Sequence, residues 1–543
     1  MKNLIPVLLI LVAACTSYKI QDIPSVQRAE SVEGIVSAAH PLATEAGSRM
    51  LELGGNAVDA AVASAFTLAV VEPSMSGLGG RLQAIVHLPN GEIVGVDATT
   101  QIPDTYDYET APKASYGYPV IGIPGVVAGL CKLWEEHGSL PLETLIQPAI
   151  HHASKGFALL PGEAFRHGLA AKEIGEFEGT KKYFQSSDGD PFKAGEILVQ
   201  KDLAKTLKQI AKGGAKAFYE GAIAEKIVAD HQAKGGFLTF EALANYEAKS
   251  SKIVDGSYRG YELHGLWMPS FGAITIQILQ ILESLPMDQY QGADWASAMA
   301  QAISLAYANR EAQRTSDSMA TVLTDSKYAQ ELSKQIVVKG KPIEVGKNLA
   351  LPESWKAEMG HTTHLSTADN KGMMVALTQS LGPNMGSKVA APGLGFLYAT
   401  TIGKYLRMTE PGQRASSHIS PFLITKEGKP FMALGAAGGS RIVTAITAVT
   451  SRVLDHKLPL DQALAAPRVY PDKDTLLMEV HPGPTWKEEE LEQLEGYGFP
   501  IKQMKLPGRF GRVHAVQFDP VKGVWIGAAD PDWEGAVDGP EGN

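Results

Sequence analysis

Hydrophobic residues outnumber polar ones in several long stretches of the first half of the chain, and their spacing there is helical. Apolar side chains three and four residues apart share one face of an α-helix. Residues 54–73 are apolar all round and rich in alanine, and they predict a buried helix with Asn56 as N-cap and Pro73 beyond its end. Residues 140–157 predict helices interrupted at Pro148. Residues 202–221 predict a helix with Leu203, Leu207 and Ile210 on one face and a stop at Gly213-Gly214.

Alternating hydrophobic and polar residues predict β-strands, mostly in the last third of the chain. An earlier hairpin is predicted over residues 84–97, turning at Asn90-Gly91. Strand-rich segments follow at residues 364–382, 395–401, 422–439 and 514–530, and the last two alternate across a glycine-containing turn. Mixed helices and antiparallel strands predict an α+β fold rather than a doubly wound parallel sheet.

The N-terminus has the pattern of an export signal. Lys2 precedes an apolar run from Leu4 to Val12, which is too short to span a bilayer as a helix. The ending Val-Ala-Ala-Cys resembles a bacterial lipobox, whose cysteine becomes the lipidated mature N-terminus. We therefore predict a signal peptide over residues 1–14, a lipid anchor at Cys15 and a polar tether over residues 15–33. The alternative is an ordinary cleaved signal that happens to contain a cysteine.

Composition excludes several classes of protein. The 543 residues are 44% hydrophobic and 20% charged, with a net charge of −10, so the chain can bury a large core and has no basic stripe for nucleic acid. Its two cysteines, Cys15 and Cys131, provide neither a disulfide framework nor a cysteine metal cluster. No motif implies a cofactor. The exported protein is predicted to reside in the periplasm or on the cell surface of a bacterium, held to a membrane by its lipid.

The segment GHTTHLSTADNKG (360–372) begins one of the predicted strands. Its end, Asn370-Lys371-Gly372, suits a three-residue hairpin loop with the glycine in the left-handed conformation. That loop places Thr362 opposite Ser380 on the next strand, whereas a two-residue loop would shift the pairing by one position. From the pattern alone, Thr362 is either an ordinary β-branched strand opening or a nucleophile.

A threonine hydroxyl needs a nearby base before it can act as a nucleophile. Cleavage of the bond before Thr362 would create an α-amino group with a pKa of roughly 7.7–8, a base attached to its own nucleophile. Ser380 would then hold the amine or the hydroxyl in line. The neighbouring His361 and His364 do not predict a metal site, because residues three apart on a strand point to opposite faces.

Ten segments, in order, resemble the γ-glutamyltransferase family of the N-terminal-nucleophile hydrolase superfamily. Among them are GGNAVDAAVA (54–63), IGIPGVVAGL (121–130), TTHLST (362–367), AAGGSRI (436–442) and GAADP (527–531). The resemblance implies a four-layer αββα fold and self-cleavage between His361 and Thr362. A large subunit (34–361, after the tether) and a small catalytic subunit (362–543) would then remain together.

The same resemblance implies roles for individual residues. Thr362 matches the nucleophile and Ser380 the second hydroxyl that orients it. Gly438 and Gly439 match the pair whose N–H groups bind the oxyanion. Ser416 and Ser417 match two serines near the carboxylate of the substrate.

The chain departs from the family where the γ-glutamyl α-amino and α-carboxylate groups would bind. Thr99 or its neighbour stands where the family has an arginine, Gly382 replaces an asparagine, Thr401 a glutamine and Lys404 an aspartate. Arg81 stands at a glycine of the family's glycine run. Lysine would repel the substrate ammonium. We therefore predict a threonine amide hydrolase whose small-molecule or peptide substrate has another acyl group, one with an anion that Lys404 or Arg81 pairs with. The alternatives are a true γ-glutamyltransferase or glutathione hydrolase, and an exported binding protein without turnover.

Overall fold

The computed structural model describes residues 27–340, 361–403, 405–406, 408–480, 485–505 and 507–541. Two seven-stranded sheets face each other, and helices cover the outer face of each. This arrangement confirms the predicted α+β class and its four αββα layers. No helix in these ranges is long and apolar enough to cross a membrane.

The strands lie in three parts of the chain. They are β1 (Arg28–Ser31), β2 (Gly34–Ala38), β3 (Arg81–His87), β4 (Ile93–Ala98), β5 (Phe157–Ala158), β6 (Ile197–Leu198), β7 (Lys249–Ser250), β8 (Ile253–Tyr258), β9 (Tyr261–Leu266), β10 (Thr363–Asp369), β11 (Met374–Ser380), β12 (Phe422–Lys426), β13 (Lys429–Ala437), β14 (Val469–Asp472), β15 (Thr475–Glu479), β16 (Ile501–Met504), β17 (Arg512–Asp519), β18 (Val524–Ala529) and β19 (Ala536–Asp538).

The helices alternate with the strands along the chain. They are α1 (Pro41–Glu52), α2 (Ala57–Val71), α3 (Val126–His137), α4 (Leu142–Lys155), α5 (Pro161–Leu169), α6 (Ala171–Ile174), α7 (Glu178–Phe184), α8 (Lys201–Tyr219), α9 (Ala222–Lys234), α10 (Phe240–Ala244), α11 (Gly272–Glu283), α12 (Gly292–Ala308), α13 (Met319–Leu323), α14 (Ser326–Ser333), α15 (Arg441–Leu454), α16 (Leu460–Ala465) and α17 (Glu488–Gly496).

Each large sheet combines strands from both sides of residue 362. The first sheet has the order β19-β2-β10-β11-β3-β4-β7, and the second has the order β1-β18-β17-β13-β12-β9-β8. Apolar side chains of both sheets meet between them, among them Ile35, Met374, Leu423 and Val516. The two predicted subunits therefore share one core.

Helix α2 lies under the first sheet as the sequence predicts. Asn56 caps it by accepting hydrogen bonds from the N–H groups of Val58 and Asp59, and the Asp59 carboxylate reaches back to the N–H of Asn56. Every residue of this helix is buried. Because so many of these residues are alanine, α1 and α4 can pack close to it.

Two predicted elements differ in the structure, and a third is confirmed. Helix α4 continues through Pro148, because burying apolar side chains of its inner face (about 1.5–3 kcal/mol each) offsets the proline penalty of about 3 kcal/mol. Residues 395–401 form isolated bridges to several segments rather than a strand. The break predicted in α8 is present at Gly214, whose φ is +57°.

The hairpin β10–β11 has the predicted register. Thr363 pairs with Gln379 and Ala368 with Met374, and Gly372 in the loop has a φ of +84°. The next pair outward is Thr362 with Ser380.

Candidate active site

Thr362 directly precedes β10 and lies opposite Ser380, the last residue of β11. Their hydroxyl oxygens are 3.1 Å apart, and both side chains are buried. The hairpin loop brings them together, because directly opposite residues on neighbouring strands have side chains on the same face of the sheet.

Both hydroxyls also contact the carbonyl oxygen of His361, the residue before Thr362. Ser380 Oγ donates a hydrogen bond to this oxygen at 2.9 Å, and Thr362 Oγ1 lies 2.5 Å from it. The N–H of Gly382 donates to Ser380 Oγ at 2.9 Å, which directs the serine proton towards the carbonyl. The carbonyl of the predicted cleavage site therefore accepts a hydrogen bond from Ser380 beside the hydroxyl of Thr362, the predicted nucleophile.

The surroundings of this peptide bond are positively charged. Burial lowers the pKa of the His361 imidazole well below its usual value, and Lys388, Arg166, Arg512 and Arg509 lower it further. His361 is therefore neutral near pH 7.

Gly438 and Gly439 lie between β13 and the N-terminus of α15, and they line one pocket with Thr362 and Ser380. A Cβ at Gly438 would lie 2.7 Å from Gly511 Cα, so only glycine fits there. The hydroxyl of Tyr307 donates to the carbonyl of the next residue, Ser440, at 2.8 Å, which fixes the turn. Backbone N–H groups at a helix N-terminus attract anions.

The pocket and the solvent-open space at its mouth together have a volume of about 530 Å³. Its wall includes Arg81, Arg441 and Tyr405, and no carboxylate is among the described residues that line it. His418 is also part of the wall; burial first, and then nearby arginines, lower its pKa to about 3, so it contributes no charge near pH 7. The pocket is suited to an anionic ligand.

A chain of buried ion pairs extends from helix α5 to the backbone carbonyl of Thr362. Arg512 Nη2 lies 3.5 Å from the Thr362 carbonyl oxygen, and Arg512 Nη1 lies 3.5 Å from Glu72. Glu72 also pairs with Arg166 at 3.4 Å, and Arg166 pairs with Glu163 at 2.7 Å. Burial raises the pKa of Glu72, although both arginines oppose this shift. These ion pairs connect α5, the C-terminal end of α2 and the first residue of β17 to Thr362, the residue before β10.

The predicted specificity residues lie in different places. Thr99 Oγ1 donates to Asp97 at 2.7 Å, and Thr401 Oγ1 donates to Thr100 at 2.9 Å; neither Thr99 nor Thr401 lines the pocket. Gly382 adjoins Arg81 at its edge. Their contribution to substrate binding stays a prediction.

Of the remaining predicted positions, some line the pocket and others do not. Ser417 lines the pocket, whereas the neighbouring Ser416 is buried and does not. Lys404 and Cys15 lie outside the described residues. The part that each of these residues takes in binding or anchoring stays a prediction, as do the catalytic roles of Thr362, Ser380, Gly438 and Gly439.

Sequence reasoning considered Arg81 but missed Tyr405, His418, Arg441 and the Glu72–Arg512 chain. Arg441 lies two residues after the glycine pair, and His418 directly follows the serine pair. The motifs that identify those pairs could therefore also have pointed to Arg441 and His418 as pocket residues. The ion-pair chain joins residues hundreds of positions apart, and no local pattern marks it.

A family model described as Gamma-glutamyltranspeptidase matches residues 43–539. The chain belongs to the gamma-glutamyltranspeptidase family. The glutathione hydrolase proenzyme of Escherichia coli (strain K12) is 32% identical, with 92% of this chain and 90% of that protein aligned. The acylase ACY 1 proenzyme of Pseudomonas sp. (strain V22) is 30% identical, with 91% of each aligned.

The solved structure of an acylase has the same fold as this chain. Cephalosporin acylase from Bacillus halodurans has a TM-score of 0.85 at 27% identity, covering 97% of this chain and 99% of that one. The chain is therefore an enzyme of the gamma-glutamyltranspeptidase family with the N-terminal-nucleophile hydrolase fold.

Proposed function

We propose that this chain is a proenzyme that cleaves itself before Thr362 and then hydrolyses an amide bond of a small molecule. The supporting observation is that Thr362 Oγ1 lies 2.5 Å from the His361 carbonyl oxygen and 3.1 Å from Ser380 Oγ. A hydroxyl against the preceding carbonyl is the geometry from which an N-to-O acyl shift starts.

Self-cleavage proceeds through an ester. Thr362 Oγ attacks the His361 carbonyl carbon and loses its proton as the C–O bond forms. The C–N bond then breaks, and the nitrogen gains a proton and becomes the α-amine of Thr362. Water hydrolyses the ester to a His361 carboxylate and restores the Thr362 hydroxyl.

Turnover repeats this chemistry on a substrate. The α-amine, with a pKa of roughly 7.7–8 in an unperturbed chain, accepts the hydroxyl proton as Thr362 Oγ attacks the substrate carbonyl. The N–H groups of Gly438 and Gly439 stabilise the oxyanion. The amine product leaves with a proton, and water hydrolyses the acyl ester.

We further propose that the acyl group is not γ-glutamyl. Recognition of an α-ammonium needs an anion, and the described pocket wall offers Arg81 and Arg441 but no carboxylate. The similarity to acylase ACY 1 and cephalosporin acylase supports this choice. The second candidate is glutathione hydrolysis, which the E. coli relative favours.

The test compares γ-glutamyl and glutaryl p-nitroanilides, which differ only in the α-amino group. Wild type should release nitroaniline faster from glutaryl, and Thr362→Ala should release none from either. Faster γ-glutamyl cleavage would establish the second candidate. Absence of turnover with both anilides, and with glutathione, would favour the binding protein.

We also propose that the protein is exported and held to a bacterial membrane by a lipid on Cys15. The support is the sequence over residues 1–15 alone. Labelling with radioactive palmitate should mark wild type and not Cys15→Ala. Equal labelling of both, or of neither, would contradict the anchor.

A further inference from the structure

Arg81 is a buried cation that pairs with no carboxylate among the residues that the structure describes. Its side chain is 1% exposed, and Nη1 donates to the carbonyl oxygen of Thr400 at 3.2 Å. Tyr405 also hydrogen-bonds to the guanidinium, whereas Nε has no hydrogen-bond partner among the described residues. Burial lowers the pKa of the guanidinium, and the contact with Tyr405 opposes that shift. Within the described ranges no carboxylate pairs with Arg81.

The guanidinium occupies a space that Gly382 leaves open. A Cβ on Gly382 would lie 2.8 Å from Arg81 Nη2 and 3.0 Å from Tyr405 Cε1. The Tyr405 ring packs 5.8 Å from the guanidinium carbon. Arginine at 81 and glycine at 382 therefore fit each other, and a larger residue at 382 would displace the guanidinium.

Arg81 also lies in the same row of paired strand residues as Thr362, the proposed nucleophile. Arg81 on β3 is the direct partner of Ser380 on β11, and Ser380 lies opposite Thr362. Neighbouring strands are about 4.8 Å apart, so the backbones of Arg81 and Thr362 are about 10 Å apart along one row. A short acyl chain whose carbonyl lies at Thr362 can extend towards Arg81.

We propose that Arg81 binds the terminal carboxylate of the acyl group, so that the substrates are monoamides of short dicarboxylic acids such as glutaric acid. Buried arginines are normally paired, and a guanidinium presents a planar fork that matches a carboxylate. The substrate would supply the missing anion. This inference rests on the proposed amide hydrolysis and specifies its substrate class.

The test compares glutaryl p-nitroanilide with 4-carbamoylbutanoyl p-nitroanilide, which has the same shape with a neutral amide in place of the carboxylate. Wild type should prefer the carboxylate by at least tenfold in kcat/KM, equivalent to about 1.4 kcal/mol. Arg81→Met should abolish the preference, mainly through KM. Arg81→Lys should keep part of it.

Arg441 provides the comparison, because it lines the same pocket. If Arg441→Met removes the preference and Arg81→Met keeps it, the assignment to Arg81 is wrong. Each variant is first checked for conversion into two chains, which shows that it has folded. Should Arg81→Met stay uncleaved, the wild-type preference still decides, since equal rates on the two substrates overturn the inference.

The two proposals fail in different ways. Wild type that cleaves itself and hydrolyses the neutral substrate at least as fast as the carboxylate refutes the role of Arg81 and leaves amide hydrolysis intact. Wild type that stays a single chain and hydrolyses neither substrate refutes the proposed function itself.

Discussion

Removing the Ser380 hydroxyl should slow self-cleavage strongly. Ser380 Oγ donates to the His361 carbonyl oxygen at 2.9 Å and lies 3.1 Å from Thr362 Oγ1. Negative charge develops on that carbonyl oxygen as Thr362 attacks, so the hydrogen bond strengthens in the transition state. The loss of one such donor typically reduces a rate by about 10²–10³-fold, or about 2.7–4 kcal/mol.

A hydrogen bond of the same strength in the ground state and the transition state would leave the rate of this intramolecular step unchanged, and its loss would lower only the stability, by about 0.5–1.5 kcal/mol. The two cases are therefore distinguishable. We expect Ser380→Ala to slow the conversion of full-length protein into two chains about 100-fold, followed on denaturing gels after cell-free synthesis. Ser380→Thr, which keeps a hydroxyl, should convert much faster than Ser380→Ala.

The matched control is Ser37→Ala. Ser37 is a buried serine of the same sheet, and it donates one hydrogen bond to a carbonyl, that of Ala528, at 2.7 Å. It should lose a similar amount of stability and convert at the wild-type rate. A slowing of less than about tenfold in Ser380→Ala would refute the role given to its hydroxyl.

Two further predictions concern the support of the site, and a third concerns a buried histidine elsewhere in the fold. Arg512→Met leaves Glu72 buried with one fewer cation, so we expect a stability loss of about 3–5 kcal/mol in urea unfolding and slower self-cleavage. Gly438→Ala should destabilise the protein more than Gly439→Ala, because a Cβ would meet backbone at the first position and nothing within 4 Å at the second. Burial lowers the pKa of His231 in the folded protein to about 3, whereas in the unfolded chain a histidine has a pKa of about 6.5. As pH falls below about 6.5, the unfolded chain therefore gains a proton that the folded protein does not bind, and the folded protein loses stability. His231→Phe should therefore lose about 2 kcal/mol less stability than wild type between pH 7 and pH 5.

Each of these has a contradicting result. An Arg512→Met protein as stable as wild type would show that the Arg512–Glu72 ion pair does not stabilise the fold. Equal melting temperatures for the two alanine variants would contradict the close approach at Gly438. An unchanged pH dependence in His231→Phe would mean that this histidine is not buried in its neutral form.

Local chemistry made part of the site predictable. The loop Asn370-Lys371-Gly372 fixes the register of β10 and β11, and that register alone sets Ser380 beside Thr362. A capping residue and continuous apolar composition made α2 predictable in the same way.

Tertiary contacts decided what the sequence could not. Pro148 lies inside a continuous helix because the helix is packed against the core on its inner face. The environment of Arg81 depends on Gly382 and Tyr405, which are about 300 residues away in sequence. The hydroxyl of Thr99 bonds to Asp97 and that of Thr401 to Thr100, and only the folded structure shows these contacts.

The most direct test of the account is the intact mass of the purified, signal-free protein, measured beside Thr362→Ala. We predict two chains for wild type whose masses correspond to a break between His361 and Thr362, and one uncut chain for the variant. A single full-length chain for wild type, or a break at another bond, would contradict the assignment of Thr362 as the nucleophile.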